Sequence, residues 1–220
     1  MRRMFYLGVT AILVLSLAGC SGGGDNRRPV YVAQILSDQP TDGDIAFDPV
    51  LLTYTITQGP ATLLFGIDAS APGVPEYRAF LDFPLDGSTG EAVVPASARI
   101  RSATIEVFIN EISFAFTVPT LLDLVTYPIS GLRAVDFDSL PLTYPDGSFA
   151  SRTLEFFSSD QGNYVLIDVT SLMAEAQRRA LPDFQLRFLL DFVPRAEGLV
   201  GIEDLPSATI TAPLLTVEYE

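Results

Sequence analysis

The chain has 220 residues, 48% of them hydrophobic, and its 13 basic residues are all arginine against 27 acidic ones, for a net charge of −14. That balance excludes nucleic-acid binding, which needs clustered cations to displace counterions. The chain has no histidine and one cysteine, which excludes His-containing triads, His-ligated zinc, internal disulfides and thiolate metal clusters.

The chain opens with Arg2 and Arg3, and an uncharged apolar run follows to Gly19. A charged stretch before a short apolar run is a secretory signal. The run falls short of the roughly 18 residues that a transmembrane helix needs. Leu17-Ala18-Gly19-Cys20 resembles the lipobox of bacterial lipoproteins. The resemblance implies cleavage before Cys20, a diacylglycerol thioether on its sulfur, and acylation of the new amino group. Two or more acyl chains hold a bilayer firmly, where one binds only marginally. The bland alternative is an ordinary secretory signal that ends at a cysteine by chance. Ser21, in the place of an aspartate, favours the outer membrane over the inner by enterobacterial-type sorting.

Residues 1–19 thus read as signal peptide, 20–29 as lipidated cysteine plus flexible tether, and 30–220 as one domain. Losing residues 1–19 removes two arginines and no acid, which takes the charge from −14 to −16. Such a surface repels anionic headgroups, so lipid and not a basic patch holds the protein to its membrane.

From Val30 onward the pattern is strands and turns. Val30–Leu36, Leu51–Thr57, Ala61–Ile67 and Tyr77–Phe83 come first. Ala103, Ile105, Val107 and Ile109 then alternate with Thr104, Glu106, Phe108 and Asn110, the period-two signal of a half-buried strand. Ser113–Val118, Leu121–Tyr127 and Thr153–Phe157 are further candidates. Alternation returns at Tyr164–Val169, at Phe184–Asp191 and at Leu215–Glu220. Gln58-Gly59-Pro60, Ala71-Pro72-Gly73, Asp86-Gly87-Ser88, Pro145-Asp146-Gly147 and Asp160–Asn163 are breakers between them. Pro84, Pro119, Pro128 and Pro213 bracket strands. One helix is predicted over Ser171–Ala180, capped by Thr170 or Ser171, closed by Arg178 and Arg179, and stopped by Pro182. Many short strands with one short helix predict an all-β fold: an antiparallel β-sandwich, jelly-roll-like.

Several segments resemble the DNRLRE-type domain, related to carbohydrate-binding module family 96. Tyr77–Leu85 is similar to that family's first core strand, and Ile100–Ile109 to its "I-x-x-A-x-L-x-L-x-V" strand. Tyr164–Leu172 is similar to its strand-into-helix step, and Pro213–Tyr219 to its closing strand. The likeness covers roughly residues 64–220 and implies the same sandwich and carbohydrate binding. The chain departs from the family in having no Trp and no clear Asn-Tyr-Gly loop at the front.

Candidate chemistry is sparse. Asp168 reads as a cap for the helix start or as the partner of a core arginine such as Arg78, and Arg78 shares a strand face with Asp82. Asp42, Asp44 and Asp48 around Gly43 fit no EF-hand spacing and read as a solvated turn. Asp136 and Asp138 read the same way, with an edge calcium as the alternative. Tyr127, Tyr144, Phe149 and Tyr164 are the aromatics that exposure would make sugar-stacking candidates. No Gly-x-Ser-x-Gly elbow, phosphate loop or dinucleotide loop is present.

The expectation is a non-enzymatic, cofactor-free, metal-free envelope lipoprotein that binds a glycan or other envelope polymer. A structural or assembly lipoprotein with an envelope-protein partner comes second, and a carboxylate-dependent hydrolase third.

Overall fold

The computed structural model describes residues 29–59, 61–90, 93–191, 197–204 and 211–220. Among the described residues, twelve strands form one antiparallel hydrogen-bonded sheet that curls into a sandwich. They are β1 Tyr31–Leu36, β2 Gly43–Asp48, β3 Thr53–Gln58, β4 Ala61–Ile67, β5 Glu76–Pro84, β6 Ile100–Ser113, β7 Thr117–Val125, β8 Ser151–Phe157, β9 Asn163–Asp168, β10 Asp183–Leu190, β11 Leu199–Asp204 and β12 Leu214–Tyr219. The strand order is β1-β12-β6-β11-β4-β5-β10-β7-β8, with β9 on β6 and the β2–β3 hairpin on β5. Early strands pair with late ones in nested fashion: β1 with β12, β4 with β11, β5 with β10. That nesting is what a jelly roll's double wrap produces.

The first layer, β1-β12-β6-β9, alternates as a half-buried sheet should. Ala33, Ile35, Ala103, Ile105, Val107, Ile109, Ile167, Leu215 and Val217 turn into the core, and their neighbours turn to solvent. The second layer behaves otherwise. On β5 from Ala79 onward, and on β10 from Phe184 onward, every residue is buried, on both faces. The inner face meets the main core through Leu81, Phe83, Phe184, Leu186 and Phe188. The outer face is roofed by the chain after β7, which makes a second small core from Ile45, Phe80, Val125, Tyr127, Leu132 and Phe137. Strand β10 is therefore not half-exposed as its period-two pattern predicts. Gln185 and Arg187 alternate with apolar residues, yet both are buried.

The polar outer positions hold the roof down. The Arg187 guanidinium donates to Asp123 at 2.7 Å, to the Phe137 carbonyl at 2.9 Å and to the Ser139 hydroxyl. The Gln185 carboxamide oxygen accepts from the Tyr127 amide at 2.8 Å. Burial pushes the Arg187 pKa down, and the Asp123 carboxylate works against it.

Helix α1 spans Thr170–Arg178 and buries Leu172, Met173 and Ala176 against the core. Its start is not capped by Thr170 or Ser171, as predicted. Asp168 does that work, accepting from the Thr170 amide at 3.0 Å and the Thr170 hydroxyl at 2.6 Å. The Thr170 hydroxyl in turn accepts from the Ala103 amide, which ties helix to sheet. Arg178 and Arg179 close the helix by converging on Glu175 at 2.6 and 2.7 Å.

Two strands escape the sequence pattern. Gly43–Asp48, expected as a solvated turn, is β2, and Leu199–Asp204 is β11. One expected break is misplaced. Pro119 lies inside β7, where its carbonyl accepts from the Asp191 amide, and the true break falls at Phe114–Phe116. Among the described residues no helix is long and apolar enough to cross a membrane.

Candidate functional site

The solvent-facing side of the first layer is a broad, nearly continuous platform. Strand register arranges it in rows. Phe108 lies opposite Tyr164, Glu106 opposite Leu166 and Thr104 opposite Asp168 across β6 and β9. The rows continue over β12 and β1: Leu214 and Leu36 extend the Glu106 row, and Thr216 and Gln34 extend the Thr104 row. Residues directly opposite on neighbouring strands share a face and touch. Phe108 and Tyr164 do so edge to face, with ring centroids 5.1 Å apart. Tyr164 is 43% exposed and Leu166 68%. Hydroxyl, carboxylate and carboxamide groups surround this apolar spot.

At its far margin the platform runs into a cleft of about 480 Å³ lined by Gln34, Leu36 and Leu214 from the platform and by Ser88, Thr89 and Gly90 from the turn after β5. The turn is pinned by a bridge between Ile35 and Gly90 and by the Thr89 hydroxyl, which donates to the Leu36 carbonyl at 2.5 Å. A side chain at position 90 would drive its Cβ into the Gln34 carbonyl, so glycine sets the width of this wall. A second cleft, lined by Ser37, Asp38, Gln39, Pro40 and Ala212, continues from Leu36 and Thr89.

The sequence candidates fall in different places. Tyr164 is on the platform. Phe149 is exposed on the hairpin between Thr143 and Phe149. Tyr144 packs against the main core, and Tyr127 is buried in the second one, so neither is a surface ring. Asp168 is exposed and ion-paired with Arg152 at 2.9 Å, not with Arg78. Its carboxyl is held down at about 2, first by the Thr170 hydroxyl. Arg78 instead pairs with Glu76 at 2.8 Å, donates to the Phe137 carbonyl and Asp138, and lies over the Phe137 ring. Asp82 shares its strand face but not its network.

Asp48 does form a turn, accepting from the Val50 and Leu51 amides. Asp42 and Asp44 do not, since both are buried. Asp136 is buried and bound to Arg133 at 3.0 Å, whereas Asp138 is exposed. Among the described residues no group of three acidic side chains is placed to hold a metal ion. The lipobox residues Leu17, Ala18, Gly19 and Cys20 lie outside the described residues. Phe108 and the Ser88–Gly90 wall were missed from sequence. Phe108 sits on the polar side of an alternating strand, a signal that points to an exposed ring.

No protein-family model matches the chain, and no curated protein matches it.

Proposed function

We propose that the protein is a lipid-anchored envelope protein whose non-catalytic sandwich binds a glycan or related envelope polymer on the outer face of β1-β12-β6-β9. The observation that carries the binding reading is the Phe108–Tyr164 pair beside Leu166 on a solvent-facing sheet face. Ring and aliphatic surfaces complement the C–H faces of sugars, and Thr104, Glu106, Thr216 and Gln34 offer hydroxyl-matching partners. The anchoring reading rests on Leu17–Cys20, with the lipid on the Cys20 sulfur and the outer membrane as its location. The resemblance to the DNRLRE-type domain points the same way. No cofactor enters this reading.

The test is binding of the purified protein to a panel of envelope polysaccharides. Tyr164→Ala should weaken binding at least tenfold, roughly the 1.4 kcal/mol expected of one aromatic contact, while the far-ultraviolet circular dichroism stays unchanged. Binding that is indifferent to Tyr164 would place the site elsewhere.

One feature favours a protein partner instead. The β2–β3 turn holds Val50, Leu51 and Leu52 out at 73, 69 and 73% exposure, fixed by the Asp48 carboxylate. Large exposed apolar groups on a rigid tip suit a pocket on another envelope protein. Co-purification of a stoichiometric partner that is lost in Leu51→Ser would favour this reading over the first.

A further inference from the structure

Beneath the crossover from β1 to β2 lies a set of carboxyl groups with which no arginine among the described residues is ion-paired. Asp42 comes from the crossover, Asp82 from the outer face of β5 and Asp204 from the end of β11, and all three are buried. Asp42 and Asp204 lie within hydrogen-bonding reach of each other, which two carboxylates allow only if they share a proton. One oxygen of Asp42 accepts from the Asp82 amide at 2.6 Å, which leaves its other oxygen for the shared proton. The Tyr127 hydroxyl, in the roof after β7, is buried and unpartnered and faces the charges of Asp42 and Asp82 first.

The other groups around the set are acids or neutral donors. Asp183 on β10 and Asp38 on the crossover press on Asp82, while the Gln185 amide works the other way. Asp86 acts on Asp183. Ser37 donates to Asp204, and Gln39 donates to the Asp204 carbonyl. Among the described residues, no arginine forms an ion pair with any of the three.

We propose that Asp42, Asp82 and Asp204 form a proton-operated clasp, which fastens the Ser37–Asp42 crossover to β5 and β11 while protonated and releases it when the carboxyls ionise. On release the protons pass to solvent, and three like charges are left in a dry site with no counter-ion among the described residues. The crossover can move because no strand pairing holds it, only five other hydrogen bonds to the body among the described residues: the Asp38 amide to the Asp82 carbonyl, the Ser37 amide to the Pro213 carbonyl, the Gly59 amide to the Asp42 carbonyl, and the Gln39 and Gln58 carboxamides to the Asp204 and Pro40 carbonyls. It lines the second cleft beside the platform, so release reshapes that cleft. The clasp is independent of what the platform binds.

The direction of the pH dependence follows from the titrations. Burial pushes Asp82 and Asp204 up to about 7, and burial and then Asp204 push Asp42 well above the ordinary carboxyl range. A raised carboxyl pKa gives stability that is complete below the unfolded value near 4 and is lost as pH rises through the folded value. The window is therefore about pH 4 to 7 and somewhat beyond. The chain has no histidine, so no side chain of ordinary pKa titrates between pH 5 and 8 to mask the effect.

The experiment is native-state hydrogen exchange on the purified protein at pH 5 and pH 8, corrected for intrinsic exchange. The amides of Asp38, Thr41, Asp42 and Asp82 should lose protection on the order of tenfold at pH 8, the equivalent of one pKa unit of linkage, while those of β6 keep theirs. Asp82→Asn and Asp204→Asn, which mimic the protonated acid, should flatten the fall in Tm between pH 5 and 8. Unchanged crossover protection at pH 8, or an equal fall in Tm in these variants, would overturn the clasp. If the variants fail to fold, the exchange measurement on the unaltered protein decides alone.

Discussion

Arg187 carries a charge into a site that is nearly dry, and the fold answers with one carboxylate, Asp123, and three roof acceptors. Removing one partner of such a pair leaves an uncompensated buried charge. Asp123→Ala should therefore cost about 3–5 kcal/mol in a denaturant-unfolding measurement. Replacing both at once, Asp123→Leu with Arg187→Met, should recover most of that, because apolar residues of similar volume need no counter-ion. A double variant as unstable as the single one would show that the roof carbonyls, and not the pair, set the cost. At this scale the sequence was partly legible. It flagged Asp168 as a helix cap, and the Thr170 contacts agree. It assigned Asp42 and Asp44 to a solvated turn because Asp-Gly-Asp favours turns locally, whereas strand pairing and the crossover bury them. Local propensity yields to tertiary packing there.

Strands whose two faces have different surroundings were read best. Strand β4 was expected over Ala61–Ile67 and is found there, and β6, β9 and β12 keep their alternation. Strands β5 and β10 fall within one residue of their expected bounds, but their burial on both faces was not legible. The roof over β10 comes from the loop after β7, 48 to 58 residues away along the chain, and no local pattern announces it. Strand β11 hides for a related reason: Leu199–Asp204 is short, contains Gly201 and slips register against β6. Its start depends on close backbone approach. Gly66 on β4 has φ +112°, and a Cβ there would run into the Gly198 carbonyl. Gly66→Ala should destabilise by at least about 1–3 kcal/mol from backbone strain alone, read as a lower Tm. A Tm unchanged within error would mean that the β4–β11 junction gives way more easily than its geometry indicates.

For the whole molecule, stability should peak in mild acid. The buried carboxyls lose their contribution as pH rises toward 7, whereas Asp168, held down at about 2, loses its own only as pH falls from 4 toward 2. A melting series across that range should show a maximum near pH 4 to 5, and a rise from pH 5 to 8 would contradict it. The sandwich presents one wet face and roofs the other, so a surface-bound polymer has one broad sheet face to meet. An acidic chain of net charge −14, or −16 after the proposed loss of residues 1–19, has no electrostatic hold on an anionic membrane, so its proposed place in the envelope rests on Cys20. Intact-mass spectrometry of the protein extracted from its native membrane tests that most directly. The account predicts a chain that begins at Cys20 and carries the mass of a diacylglycerol thioether plus an amide-linked acyl chain. A free thiol at Cys20, or residues 1–19 still attached, would contradict it.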